Sequence, residues 1–178
     1  MTVYVALLRG INVGGHNKLP MATLRALATG CGFTDVQTYI QSGNVVFGSR
    51  LGATKVATAL HHAILAECAI DSRVVIRTGP DLVTVVAQNP FLERGADEKL
   101  QHVVFMYPES APTLSGVDPQ FYAPEEVEVI GPNAYLHTPN GVGQSKLATE
   151  TTMRKLGIVG TVRNWRTVST LAEMAAAR

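Results

Sequence analysis

"VQTYIQSGNVVF", Val36–Phe47, is the stretch on which the fold turns. Two β-rich runs, "VQTYI" and "NVVF", flank "QSG", and a short polar spacer with a glycine between such runs reads as a hairpin. Its surroundings make the hairpin part of a domain. Upstream, Val3–Leu8 is a continuous apolar strand, and Pro20 opens a helix with Met21, Leu24, Leu27 and Ala28 at helical spacing, closed by Gly30 and Gly32. Downstream, Val56, Ala59, Leu60, Ala63 and Ile64 mark a second helix, and "SRVVIRT" is a fourth strand ended by Gly79-Pro80. The order is β-α-β-β-α-β, the split pattern of ferredoxin-like domains.

The second half repeats much of this order. A helix from about Pro80 to Gln88 stops at Asn89-Pro90, "HVVFMY" is a strand, and "PTLSGVDPQFY" a short broken helix or turn. "EVEVI" and "NAYLHT" form another hairpin, "SKLATETTMRKLG" reads as a helix, and the tail from about Asn164 to Ala177 as another. "NVVFGSRLGATKVATAL" also aligns locally with "NAYLHTPNGVGQSKLATET". The expected fold is α+β: a tandem duplication of two ferredoxin-like (βαββαβ) units, residues 1–79 and 80–178, with an extra C-terminal helix.

Composition sets limits on function. The chain has 178 residues, 46% hydrophobic and 16% charged, which predicts a packed globular protein. A formal net charge of +1 weighs against a general nucleic-acid binder, so any such role would rest on a local patch. Cys31 and Cys68 lie far apart in apolar stretches, as buried free thiols of a reducing compartment do. "MTVYVALLRG" has no basic n-region or cleavage site, and no run approaches membrane-spanning length. The expectation is a cytoplasmic protein without a membrane partner.

Four polar motifs interrupt this ordinary core pattern. "RGINVGG" (Arg9–Gly15) follows a strand and precedes a helix; Gly10, Gly14 and Gly15 allow positive φ and expose amide groups, and Arg9 and Asn12 add polarity. "YIQSGN" places Ser42 and Asn44 at a hairpin tip, where both are also ordinary turn residues. "GVGQSK" (Gly141–Lys146) meets neither nucleotide fingerprint, yet glycines, Ser145 as a helix N-cap and Lys146 in the first turn suit an anion as well as they suit a capped helix. "TVRNWRTV" (Thr161–Val168) sets Arg163, Asn164 and Arg166 around Trp165 at an expected helix start, where basic residues oppose the dipole unless an anion binds. Trp165 is read as core.

One shared site explains the four motifs economically: an inter-domain cleft lined by Arg9, Asn12, Gly14, Ser42, Asn44, Ser145, Lys146, Arg163, Asn164 and Arg166, with Arg9, Asn12, Ser42, Asn44, Lys146, Arg163 and Arg166 mostly solvent-accessible. The ligand expected there is an anionic small molecule, a phosphate or nucleotide; no cofactor is specified. No H-E-x-x-H, Cys/His spacing, D-x-D pair or G-x-S-x-G elbow occurs, so no metal is expected and metal-assisted phosphoryl transfer loses ground. Two further readings stand beside the binding module. One is a metal-independent enzyme on a phosphorylated substrate with Ser42 or Ser145 as nucleophile, though neither has a histidine nearby in sequence. The other is a protein or nucleic-acid interaction module, although "NVVFGS" does not match the RNA-recognition pattern.

"LLRGINVGG", "TYIQSGNVVF", "NPF", "GVGQSKL" and "TVRNWRTV", taken in this order along nearly the whole chain, resemble the bacterial domain-of-unknown-function 1697 family. The resemblance implies duplicated ferredoxin-like α+β domains and carries over no activity or ligand. At Gln144 the family more often has a basic residue, which lowers the positive charge expected of that loop here.

Overall fold

The computed structural model describes the whole chain, Met1–Arg178. Its first half runs β1 (Thr2–Leu8), α1 (Met21–Gly30), β2 (Thr34–Tyr39), β3 (Asn44–Ser49), α2 (Ala53–Cys68), β4 (Val74–Thr78) and α3 (Gly79–Ala87). The second half runs α4 (Pro90–Glu93), β5 (Gln101–Met106), α5 (Pro119–Tyr122), β6 (Glu126–Ile130), β7 (Asn133–His137), α6 (Glu150–Lys155), β8 (Gly160–Asn164) and α7 (Trp165–Ala176). The strands form two four-stranded sheets, ordered β2-β3-β1-β4 and β6-β7-β5-β8, with every pairing antiparallel. Position for position the two orders are the same.

Two compact units hold these sheets: Met1–Val83 with Thr170–Arg178, and Thr84–Ser169. In the first, Tyr4, Ala6 and Leu8 of β1 and Val45 and Phe47 of β3 face Met21, Leu24 and Ala28 of α1 and Val56, Leu60 and Ile64 of α2 in one buried cluster. Phe33 stacks on Phe47 with centroids 4.4 Å apart. Val5 and Leu7, on the opposite face of β1, are also fully buried, which is why this antiparallel strand reads as one unbroken apolar run. Gly79 lies against Ala175, so the end of α7 belongs to this unit's packing.

The second unit has a thinner helical layer. Val104, Met106, Ala134 and Leu136 of β5 and β7 meet Tyr122, Leu147, Met153 and Leu156. Tyr135 donates its hydroxyl to Val85 O at 3.0 Å, tying the end of α3 to this sheet. Each helix that follows a fourth strand therefore starts in one unit and ends in the other.

Two local expectations are corrected. The helix expected over "SKLATETTMRKLG" starts only at Glu150. The amides of Lys146 and Leu147 are captured by the carboxylate of Glu125, and Ser145 Oγ takes the amide of Ala148, so residues 145–148 form a capped turn instead. In "TVRNWRTV", Thr161–Asn164 is the last part of β8, and α7 begins at Trp165. Arg163 is thus a strand residue, and alternation along β8 buries Thr161 and Arg163 while Val162 and Asn164 face solvent. No helix is long and apolar enough to cross a membrane.

Candidate functional site

In the first unit, "RGINVGG" and "YIQSGN" come together at the end of the sheet where β1 finishes and β3 begins. The amide of Asn12 makes the join. Its Oδ1 accepts from Leu19 N at 2.8 Å, and both hydrogens of its Nδ2 are used, to Leu19 O at 2.9 Å and Gln41 O at 2.7 Å. Asn12 N donates to Asn17 O at 3.1 Å, and Asn17 Nδ2 donates to Gly10 O at 3.0 Å, closing the loop into a small pinned tongue. Gly10, Asn12, Gly14, Gly15 and Asn17 all have positive φ. The two asparagines tolerate that conformation better than other side chains of their size.

The hairpin tip is held from the other side. Leu8 N donates to Gly43 O at 2.9 Å, and a Cβ at Gly43, whose φ is +76°, would stand 2.9 Å from that of Leu8. Only glycine permits this approach. Asn44 Nδ2 donates to Tyr39 O at 3.0 Å and to Ser42 Oγ at 2.9 Å. Asn44 is fully buried, against the expected accessibility, so its amide works inside the hairpin. Exposed at the tongue are Val13, Gly14, Gly15, His16 and Lys18, with half-buried Arg9 at its root. No carboxylate occurs from Arg9 to Pro20 or from Val36 to Asn44.

In the second unit, "GVGQSK" does gather donors around an anion, and the anion is a side chain of this protein. Glu125 is buried and accepts from Ser145 Oγ at 2.7 Å, Lys146 N at 3.1 Å and Leu147 N at 2.8 Å. Ser145 is buried too, with its hydroxyl committed to Glu125. Lys146 points outward, its Nζ 5.6 Å from the ring centroid of exposed Phe121. Glu125 escaped sequence reading because it sits among other acidic residues in "PEEVEVI"; only its place directly before a strand distinguishes it.

"TVRNWRTV" divides between two faces. Arg163 is buried, again against the expected accessibility; its Nη1 donates to Thr161 Oγ1 and to Val162 O, each at 2.8 Å. Burial pushes its guanidinium down to about 10, partly offset by nearby Tyr107. Its counterpart is Arg77, which stands opposite Val5 in the β1–β4 pairing as Arg163 stands opposite Val103 in the β5–β8 pairing. The following residues match too: Thr78 Oγ1 accepts from Asp81 N, and Asn164 Oδ1 accepts from Thr167 N, each capping the next helix. The sequence carried this signal as "IRTGPD" beside "VRNWRT". Trp165 is buried as expected, whereas Arg166 is exposed and has no carboxylate partner.

Two other polar features lie in the second unit. Arg94 bonds Glu126 and Glu128, and His137 lies 3.3 Å from Glu126, placing charge along edge strand β6, which blunts it toward foreign strands. His102 is buried with an unpartnered Nδ1, and burial lowers its pKa. No group of three or more His, Cys, Asp or Glu side chains could hold a metal ion.

Comparison with known proteins gives a family and a fold. The family model described as protein of unknown function (DUF1697) matches residues 1–135. A solved structure described as a conserved bacterial protein from Streptococcus pneumoniae is similar at 21% identity and TM-score 0.75, covering 98% of each chain. At that identity the likeness concerns the fold alone. No curated protein matches the chain. The chain belongs to the DUF1697 family.

Proposed function

We propose that this member of the DUF1697 family binds a phosphorylated small molecule or nucleotide. The observation that carries the reading is the pinned tongue of the first unit. Asn12 and Asn17 hold its root with side-chain hydrogen bonds and left-handed backbone, while the tip leaves Gly14 and Gly15 exposed between Arg9 and Lys18. A connection serving only to join strand to helix needs neither two left-handed asparagines nor two basic residues in a segment that carries no carboxylate of its own. Backbone amides in such a loop and basic side chains together attract anionic oxygens. Lys146 and Arg166 are the corresponding exposed cations of the second unit, whereas Asn12, Ser42, Asn44, Ser145 and Arg163 hold the loops and strands in place.

The same reading takes the two units as a tandem ferredoxin-like duplication. Its support is the shared strand order and the matching positions of Arg77 and Arg163. It places the protein in the cytoplasm, on the strength of Cys31 and Cys68, both free.

A thermal-shift series with inorganic phosphate, ribose 5-phosphate, AMP and ATP tests the function. A ligand at a hundred times its Kd should stabilise the protein by about 2.7 kcal/mol. The double variant Arg9→Ala, Lys18→Ala should lose most of that shift. If none of the four compounds shifts the transition at millimolar concentration, the reading is wrong.

A further inference from the structure

Phe121 is 52% exposed, while every other phenylalanine and the tryptophan of this chain are buried. Its exposure is built in by its helix. Asp118 accepts from Gln120 N at 2.9 Å to cap α5, Pro119 opens it, and Tyr122 is buried in the core cluster, so the adjacent ring is turned to solvent. Over that ring lies the ammonium of Lys146. The backbone of Lys146 is fixed independently: its amide is held by Glu125 Oε1, and Leu147 beside it is fully buried. Two separately anchored segments thus present one aromatic face and one cation side by side.

We propose that Phe121 and Lys146 form a platform for a nucleotide, with the base stacked on Phe121 and the phosphate paired with Lys146. This rests on the phosphate-binding reading above only for the class of ligand; the platform is a contact of the second unit, distinct from the tongue. Every nucleobase has a flat π-face that stacks on an exposed aromatic ring with little regard for sequence. The incoming base displaces the ammonium from the ring, and the flexible lysine stem lets Nζ swing to the phosphate as a point charge. A sugar phosphate could use only the second contact. The segment Gly141–Lys146 carries no acidic side chain of its own, and the nearby Glu125 carboxylate is engaged by Ser145 Oγ and the amides of Lys146 and Leu147.

The experiment compares AMP, GMP and UMP with ribose 5-phosphate by calorimetric titration of the full chain at low salt. Stacking at one ring should make at least one nucleotide bind roughly 5- to 150-fold more tightly than ribose 5-phosphate. Phe121→Ala should erase that advantage and leave ribose 5-phosphate unchanged; Phe121→Trp should keep it. In the Arg9→Ala, Lys18→Ala background, where the tongue no longer contributes, Lys146→Ala should weaken all four ligands. Equal affinities that ignore Phe121→Ala overturn the nucleotide assignment and leave phosphate binding standing. Binding by none of the four overturns both.

Discussion

Replacing Glu125 with glutamine changes almost no volume and removes the charge on which three donors converge. A glutamine offers one acceptor oxygen and an NH2 group, so at least one of Lys146 N, Leu147 N and Ser145 Oγ would face a donor. Hydrogen bonds to a charged acceptor contribute about 1.5–3 kcal/mol each, and a buried donor left unpaired costs about 1–3 kcal/mol. Losing charge assistance at the retained bonds and one partner outright amounts to about 2–4 kcal/mol. Equilibrium urea unfolding measures it, with Ser145→Ala and the double variant closing a cycle. The pair should couple by about 0.5–3 kcal/mol, because both residues belong to one network. A cost below about 0.5 kcal/mol for Glu125→Gln, with additive behaviour in the cycle, would refute the assignment of Glu125 as the anion that shapes this turn.

Three further outcomes are expected. Trp165→Ala should cost about 3–5 kcal/mol as a core truncation, while Arg166→Ala, on the exposed side of the same turn, should stay within about 0.5 kcal/mol in ligand-free unfolding; a large Arg166 effect would make it a structural ion-pair partner. Burial holds His102 below its ordinary value of 6.5, so the unfolded chain takes the proton first, and stability should fall as pH drops below that value, by at most about 1.4 kcal/mol per pH unit. His102→Phe should flatten that part of the pH profile, and an unchanged slope would assign the acid sensitivity to other groups. Deleting Thr170–Arg178 should speed hydrogen exchange in β1 and β4, since Ala175 packs on Gly79 and the tail belongs to that unit; unaltered exchange there would show that the tail contributes nothing to its stability.

The strands were legible because their signals are local. "NVVF" and "NAYLHT" alternate or run apolar between turn residues, and both became strands at nearly the expected bounds. The helix over "SKLATETTMRKLG" shortened for a reason no local pattern contains. Residues 145–148 have helical spacing, but a carboxylate from a preceding segment outbids the helix for their amides. "TVRNWRTV" was misjudged on one side for a similar reason. The tail helix is expected from about Asn164 and begins at Trp165, but only pairing with β5 makes Arg163 a buried strand residue. Of the candidate site, the contact between "RGINVGG" and "YIQSGN" emerged from the fold, while the burial of Asn44, Ser145 and Arg163 lay beyond a single sequence. Polar residues in glycine-rich loops look alike whether they serve the fold or a ligand.

The same chemistry has been resolved differently in the two glycine loops, and that contrast separates a backbone that can meet a phosphate from one that offers it a single ammonium. In "GVGQSK" the inward donors already have an anion, Glu125, so an external phosphate has no vacant cradle there and meets only the ammonium of Lys146. In "RGINVGG" the pinning is done by neutral amides, Asn12 and Asn17, which fix the backbone without bringing negative charge to the loop. An acid at position 12 could satisfy Leu19 N but could donate to neither Leu19 O nor Gln41 O, and it would cancel the positive rim. Asn12→Asp therefore separates the two demands on this residue. It should loosen the tongue, seen as faster exchange at Leu19, and weaken phosphate binding more than Asn12→Ser does, since only the aspartate adds repulsion. Equal loss of binding in both variants would mean that the tongue acts through its shape alone, and the electrostatic part of the functional reading would fail.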